Sequence, residues 1–229
     1  MIIHDHSTEE DRFLQIHLGG DRNFCYLLGD LRTGDGAAVD PGYEPEKLAQ
    51  IAADNDLSIR QILLTHGHGD HVGGVPELVK LTGATVQAGR QEKIPGAKPL
   101  DEDDTVTLGR HQVKILSTPG HTRGHLCFLF NGRLITGDLL FCGKVGGTGP
   151  FFPGSSAEAE WDSLHGLLTL PDQTLVFPGH DYYGGEGSMP HSTIGHERHS
   201  NPFLLCADFE AFCQLKENWA AYKQEHGIR

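Results

Sequence analysis

The chain has 229 residues, 38% of them hydrophobic and 21% charged, with a formal net charge of −13. That length suits a single globular domain with a sizeable core, and the acidic balance argues against nucleic acid or an anionic membrane as the main partner. A small anionic substrate remains compatible, because a local cation or bound metal can meet it.

The N-terminus, Met-Ile-Ile-His-Asp-His, has no signal-peptide pattern, and His4 and His6 on it are read as surface residues. Phe13 to Leu18 alternates at period two, and Phe24 to Leu28 is a short buried-strand candidate. Gly34-Asp35-Gly36 turns the chain into Ala37-Ala38-Val39-Asp40. Pro45 to Asn55 then carries Leu48, Ile51 and Ala52 at helical spacing. Ile59 to Thr65 is expected as a strand, and Val72 to Leu81 as a helix with Val75, Leu78 and Val79 on one face.

The middle reads as β-rich, with strands at Thr105–Leu108, Val113–Ser117, Leu126–Phe130 and Leu134–Thr136, and a hairpin turn at Asn131-Gly132. Glu158 to Leu170 is expected as a helix and Thr174 to Phe177 as a strand. The tail from Asp208 to His226 is expected as one helix, capped by Asp208 and stopped by Gly227, with Phe212, Leu215, Trp219 and Tyr222 as a packing stripe. No internal repeat or linker appears, so the fold class is α/β.

Five cysteines (Cys25, Cys127, Cys142, Cys206, Cys213) form no Cys-x-x-Cys pair, which excludes a disulfide framework or thiolate zinc site as the reading. No apolar run is long enough to span a bilayer. A cytoplasmic protein with reduced thiols is expected.

Histidine is the compositional anomaly, at 15 copies. Strand Ile62-Leu63-Leu64 runs into Thr65-His66-Gly67-His68-Gly69-Asp70-His71 just before a helix. One His-x-His would be an ordinary solvated turn. Three imidazoles and a carboxylate at the carboxyl end of a strand, separated by glycines, are instead a candidate open metal site. Three later turns each add a donor after an expected strand: Thr118-Pro119-Gly120-His121, Thr136-Gly137-Asp138 and Phe177-Pro178-Gly179-His180. Each alone is weak, since loop His and Asp are commonly turn formers. Their order and number carry the signal.

With these motifs in place, nearly the whole chain resembles the metallo-β-lactamase superfamily. The resemblance implies an αββα sandwich over residues 1–229, with about 190–229 as a short C-terminal helical extension. It implies that His66, His68 and His121 hold one metal, that Asp70, His71 and His180 hold a second, and that Asp138 bridges them. The implied cofactors are two divalent ions, zinc foremost, with iron or manganese also suited to imidazole and carboxylate donors. A hydroxide shared by the ions would be the nucleophile, with Asp70 as the catalytic residue that orients it. No Gly-x-Ser-x-Gly elbow competes for that role.

Within the superfamily, Ala38-Val39-Asp40-Pro41-Gly42, Gly69-Asp70-His71-Val72-Gly73-Gly74, Thr118 to His125 and Cys142-Gly143-Lys144 resemble glyoxalase II, the hydroxyacylglutathione hydrolases. That implies a small-molecule thioester substrate, with Lys144 holding a carboxylate of the carrier and Tyr182 as a further substrate-binding candidate. The chain departs from that group after His180, where only about fifty residues follow and the group's basic glutathione-binding pattern is not evident. Gly179-His180-Asp181-Tyr182, Ser192 to Arg198 and Asn201-Pro202 are similar instead to persulfide dioxygenases, which would use one iron on His66, His121 and Asp138. A Cys usually stands in that group where this chain has His125. A non-catalytic metal-binding module is the reading from another class, and a missing donor would have favoured it. His125 is expected to begin a strand and orient a ligand, and His191, His196 and His199 to lie at the surface or behind the ligands. The sequence specifies no oligomeric state.

Overall fold

The computed structural model describes residues 1–20, 22–183 and 188–228. Strands β1 (Ile2–Asp5), β2 (Asp11–His17), β3 (Phe24–Asp30) and β4 (Asp35–Val39) form an antiparallel meander. Helix α1 (Pro45–Asp54) then crosses over to β5 (Ser58–Leu64), parallel to β4. Helices α2 (Gly69–Val72) and α3 (Val75–Thr82) lead on to β6 (Thr85–Gly89) and β7 (Lys98–Leu100), which extend the sheet in parallel.

A second sheet begins with the antiparallel strands β8 (Thr105–Leu108), β9 (His111–Ser117), β10 (Leu126–Phe130) and β11 (Arg133–Gly137). Asn131 and Gly132 join β10 to β11 with φ of 47° and 80°, both in the left-handed region that a two-residue turn of this hand requires. A small hairpin follows, β12 (Leu140–Phe141) with β13 (Lys144–Val145). Helix α4 (Ala157–Leu167), capped by Ser156, returns the chain to β14 (Leu175–Pro178), parallel to β11. Strand β15 (Ser192–Thr193) pairs with β14, and helices α5 (Ile194–Ser200), α6 (Phe209–Glu217) and α7 (Trp219–His226) end the fold.

Three apolar layers hold these elements. Phe13, Tyr26, Val39 and Leu63 of the first sheet meet Ile115, Phe128, Ile135 and Phe177 of the second. The outer face of the first sheet packs Leu27 and Ile62 on Leu48 of α1 and Leu78 of α3. The outer face of the second packs Leu134 and Val176 on Leu164 of α4, Ile194 of α5 and Phe212 of α6. The result is the four-layer αββα sandwich that the resemblance implied. With both faces covered, β3 is buried at every residue instead of alternating.

Several local expectations are corrected. The helix expected over Val72–Leu81 breaks at Gly73-Gly74, separating α2 from α3. The single C-terminal helix is two. Asn218, whose side-chain Nδ2 donates to Gln214 O (2.8 Å), interrupts it, a competition with backbone bonding typical of Asn. Asp208 does cap α6 by accepting from Ala211 N, and Gly227 ends α7 at φ 69°. Strands β1, β6, β7 and the β12–β13 pair escaped a pattern reading because they are short or weakly apolar. His6 is not a surface residue: its ring packs edge-on against Phe177 (4.9 Å) and His191 (4.6 Å), and burial pushes its pKa down to about 4.

Candidate metal centre

Strands β4, β5, β11 and β14 all end at one edge of the sandwich, and each delivers a polar side chain within a few residues of its carboxyl end. Asp40 follows β4, His66 and His68 follow β5, Asp138 follows β11, and His180 follows β14. Asp70 and His71 come from the first turn of α2, and His121 from the loop between β9 and β10. The seven side chains marked in the sequence therefore converge, from four separate segments.

Three groups of donors form there: His66, His68 and His121; Asp70, His71 and His180; and, overlapping both, Asp40, His66 and His71. His121 Nε2 lies 3.0 Å from His68 Nδ1, and His71 Nε2 lies 3.3 Å from His180 Nε2. Asp138 stands between the first two, with Oδ1 3.4 Å from His71 Nε2 and Oδ2 3.7 Å from His121 Nε2 and 3.4 Å from His180 Nε2. Asp70 Oδ2 sits 3.3 Å from His180 Nε2 and accepts from Asn23 Nδ2 (3.0 Å).

Residues behind the cluster set which ring nitrogens point inward. Thr65 N and Oγ1 donate to the two oxygens of Asp40 (2.8 and 2.6 Å). With its proton so committed, Thr65 Oγ1 accepts from His66 Nδ1 (3.0 Å). Asp40 Oδ2 also accepts from His71 Nδ1 (3.0 Å), and Gly147 O accepts from His121 Nδ1 (2.7 Å). Each Nδ1–H is thus spent outward, leaving the Nε2 lone pairs of His66, His71 and His121 facing in. Asp40 and Thr65 were not singled out as site residues in the sequence. The Ala38–Gly42 motif marked their neighbourhood, but not that Asp40 grips His71.

This cluster fits cations. Lone pairs face lone pairs and carboxylates, and His66 Nε2 and Asp138 Oδ1 are buried without a hydrogen-bond partner among the described residues. Burial alone would raise the Asp138 carboxyl, yet His71, His180 and His66 around it hold it well below the usual carboxylate range. His180 and then His71 do the same for Asp70, against its desolvation. Burial keeps His66 well below the usual imidazole range and lowers His121. For His71 the burial penalty is outweighed by Asp138 and Asp40, and its pKa rises. Gly179 keeps the floor open, since a Cβ there would fall 2.4 Å from Asp138 Oδ1 and 2.9 Å from His71 Cε1.

The donors open on a cavity of about 830 Å³ whose lining also includes Phe151, Trp219, Lys144 and Tyr182. Tyr182 stacks flat on His180 at 4.7 Å, and Lys144 Nζ lies 4.8 Å from the centre of the Tyr182 ring. Of the remaining histidines, His125 is fully buried and pairs with Thr118 Oγ1 (2.9 Å), stacking on His66 at 5.5 Å. It therefore packs behind a donor without hydrogen-bonding it. His191 packs on Phe177, while His196 and His199 are exposed.

Residues 18–180 match the family model described as Metallo-beta-lactamase superfamily. Hydroxyacylglutathione hydrolase from Fuscovulum blasticum is 40% identical over 71% of this chain, which spans 64% of that relative's length. The hydrolase of the same name from Rhodospirillum rubrum is 39% identical, over 83% of this chain and 86% of its own. Among solved structures, ETHE1 from Myxococcus xanthus is similar with a TM-score of 0.80 and 31% identity, covering 96% of this chain and 91% of that one.

Proposed function

This chain belongs to the metallo-β-lactamase superfamily, and from that premise we propose that it is a metal-dependent hydrolase of the glyoxalase II type, acting on a small-molecule thioester. The observation that carries the proposal is the pair of three-donor groups around Asp138, opening on a cavity of substrate size. His66, His68 and His121 would hold one divalent ion, and Asp70, His71 and His180 the other, with Asp138 shared. Ions so held supply a water of lowered pKa and polarise the acyl carbonyl.

The chain's own groups do the rest. The Asp70 side chain is more exposed than that of Asp138, at 35% against 12%. Held ionised and steadied by Asn23, it is oriented to accept a hydrogen bond from the attacking water. In the net reaction a water oxygen bonds to the acyl carbon, the C–S bond breaks with its electron pair on sulfur, and a water proton ends on the thiolate. Lys144 lines the cavity beyond the donors, where it would hold a carboxylate of the carrier thiol, with Tyr182 beneath it. The Lys144→Ala variant should raise KM for an anionic thioester more than it lowers kcat. An unchanged KM would remove Lys144 from substrate binding.

A second reading, a mononuclear iron persulfide dioxygenase, is favoured by the likeness to ETHE1 over 96% of the chain. It needs only His66, His121 and Asp138. Metal analysis of protein purified without chelator, with thioester-hydrolysis and oxygen-consumption assays in parallel, separates the two. On the hydrolase reading, His71→Ala loses about a hundredfold or more in kcat for thioester cleavage. Persulfide-dependent oxygen uptake that survives His71→Ala, with one iron per chain, would establish the dioxygenase instead.

A further inference from the structure

Lys216 of α6 and Glu160 of α4 form an ion pair in the layer outside the second sheet, with side chains only 12% and 0% exposed. Burying such a pair is costly unless its geometry is good and its remaining hydrogen bonds are made, and Glu160 Oε1 is buried without a hydrogen-bond partner among the described residues. The Lys216 ammonium also donates to the carbonyl of Gly146 (2.7 Å). Gly146 is wedged between Asp138 and Glu160: a Cβ there would lie 1.9 Å from Asp138 O and 3.1 Å from Glu160 Oε1. The next carbonyl along, Gly147 O, is the acceptor that fixes the tautomer of His121.

Glu160 reaches His121 by a second route. A Cβ on Gly120 would fall 2.5 Å from Glu160 Cα, so the turn before His121 lies directly on α4. Ser156 N at the start of α4 donates to Gly120 O (2.8 Å), and Ser163 Oγ donates to Pro119 O (2.7 Å). Helix α4, which carries Glu160, therefore packs on the turn before His121, while Lys216 holds the carbonyl next to the one that His121 Nδ1 bonds. Lys216 and Glu160 are not among the donors, and Lys216 lines the cavity on which the donors open.

We propose that Lys216, contributed by the C-terminal helical extension, is a positioning residue: paired with Glu160, it holds Gly146-Gly147 so that Gly147 O aims His121 Nε2 at its metal. The proposal rests on the metal-centre reading above. It explains why a cation from the end of the chain is buried beside the site while its charge is already matched by Glu160. Lys216→Met keeps the length of the side chain and removes the charge and the donor, so Gly146 O loses its partner and the Gly147 carbonyl is free to turn. Supporting groups of this kind change metal affinity by roughly 10–100-fold when removed.

The test uses the zinc-loaded full-length protein and compares Lys216→Met, Lys216→Arg and Ile194→Ala. Ile194 is fully buried in the same apolar layer but on α5, so its variant loosens that layer and leaves Lys216, Glu160 and the Phe212 ring under the Lys216 ammonium (5.2 Å) in place. Chelator competition should show about tenfold weaker zinc retention in Lys216→Met, restored at least in part by Lys216→Arg and unaffected in Ile194→Ala. Histidine side-chain ¹⁵N–¹H spectra should show the Nδ1–H signal of His121 in the wild type and its loss or shift in Lys216→Met, a readout independent of turnover and of metal. Zinc retention within twofold of wild type and an unmoved His121 signal in folded Lys216→Met would overturn the proposal. So would equal zinc loss in Ile194→Ala. A wild type that retains no zinc or other metal would instead overturn the metal-centre reading, with the His121 signal still deciding the positioning role.

Discussion

The two ends of the sandwich both bury charge, and they treat it in opposite ways. At the end away from the cavity, Asp30 accepts from Arg32 N (2.8 Å) and from Arg110 N, Nε and Nη2 (2.7, 3.0 and 2.9 Å). Nearby, the Arg133 guanidinium donates to Asp11 Oδ2 (2.6 Å) and His6 O (2.7 Å) and lies over the rings of Phe13 and Phe130. At the cavity end, no guanidinium meets Asp70 or Asp138 among the described residues. Their basic neighbours are imidazoles, and those of His71, His66 and His121 turn a proton outward to Asp40, Thr65 and Gly147.

The difference is in who supplies positive charge. Arginine brings its own and is always protonated, so the closed end is complete as the chain folds. A neutral histidine with its Nδ1–H committed brings a lone pair, so the open end has acceptors in excess and is completed by a cation. Buried charge at one end secures the fold, and at the other prepares a reaction.

The largest effect expected from this contrast is at Asp138, which faces both donor groups. Asp138→Ala should cost roughly a thousandfold in kcat, about 4 kcal/mol of transition-state stabilisation, and should lower the metal content measured by elemental analysis. Wild-type metal and turnover in that variant would mean the open end is not built around this carboxylate. The converse holds for Arg133→Leu. It strands the buried Asp11 carboxylate and should lower folding stability by about 3 kcal/mol, read from denaturant midpoints. Metal content and kcat per folded molecule should stay as in the wild type. A parallel loss of metal would show that the two ends are coupled through the sheets.

The smallest effect is a pH dependence. Hydrogen bonds from Arg110 hold the Asp30 carboxyl well below the ordinary carboxylate value, against desolvation. The folded state thus binds this proton less readily than the unfolded chain. Asp30 contributes stability above the unfolded value of about 3.9 and loses it as the pH falls further. Denaturant midpoints of the wild type should therefore drop on acidification below about pH 5, and Asp30→Asn should flatten part of that slope. A slope identical in both proteins would assign the acid sensitivity to other carboxylates, Asp70 and Asp138 first.

Much of this contrast was visible in the sequence because it is local. His66, His68, Asp70 and His71 sit within one strand-to-helix turn, and His121, Asp138 and His180 each follow a β run. Spacing and residue type identify such donors without a structure, since metal-ligand chemistry is written in side-chain identity. The same holds for the Asn131-Gly132 turn and the Asp208 cap, where one or two residues decide the backbone. What the sequence could not decide is anything that depends on two distant segments meeting. Asp40 gripping His71, Thr65 relaying between Asp40 and His66, and Lys216 reaching Gly146 and Glu160 join residues 25 to 70 apart, except for the adjacent Thr65 and His66. Their side chains are ordinary, and only packing gives them a partner. The same reason separates Arg133 from any surface arginine: tertiary structure buries it against Asp11, 122 residues away, and burial is what turns a charge into a structural requirement.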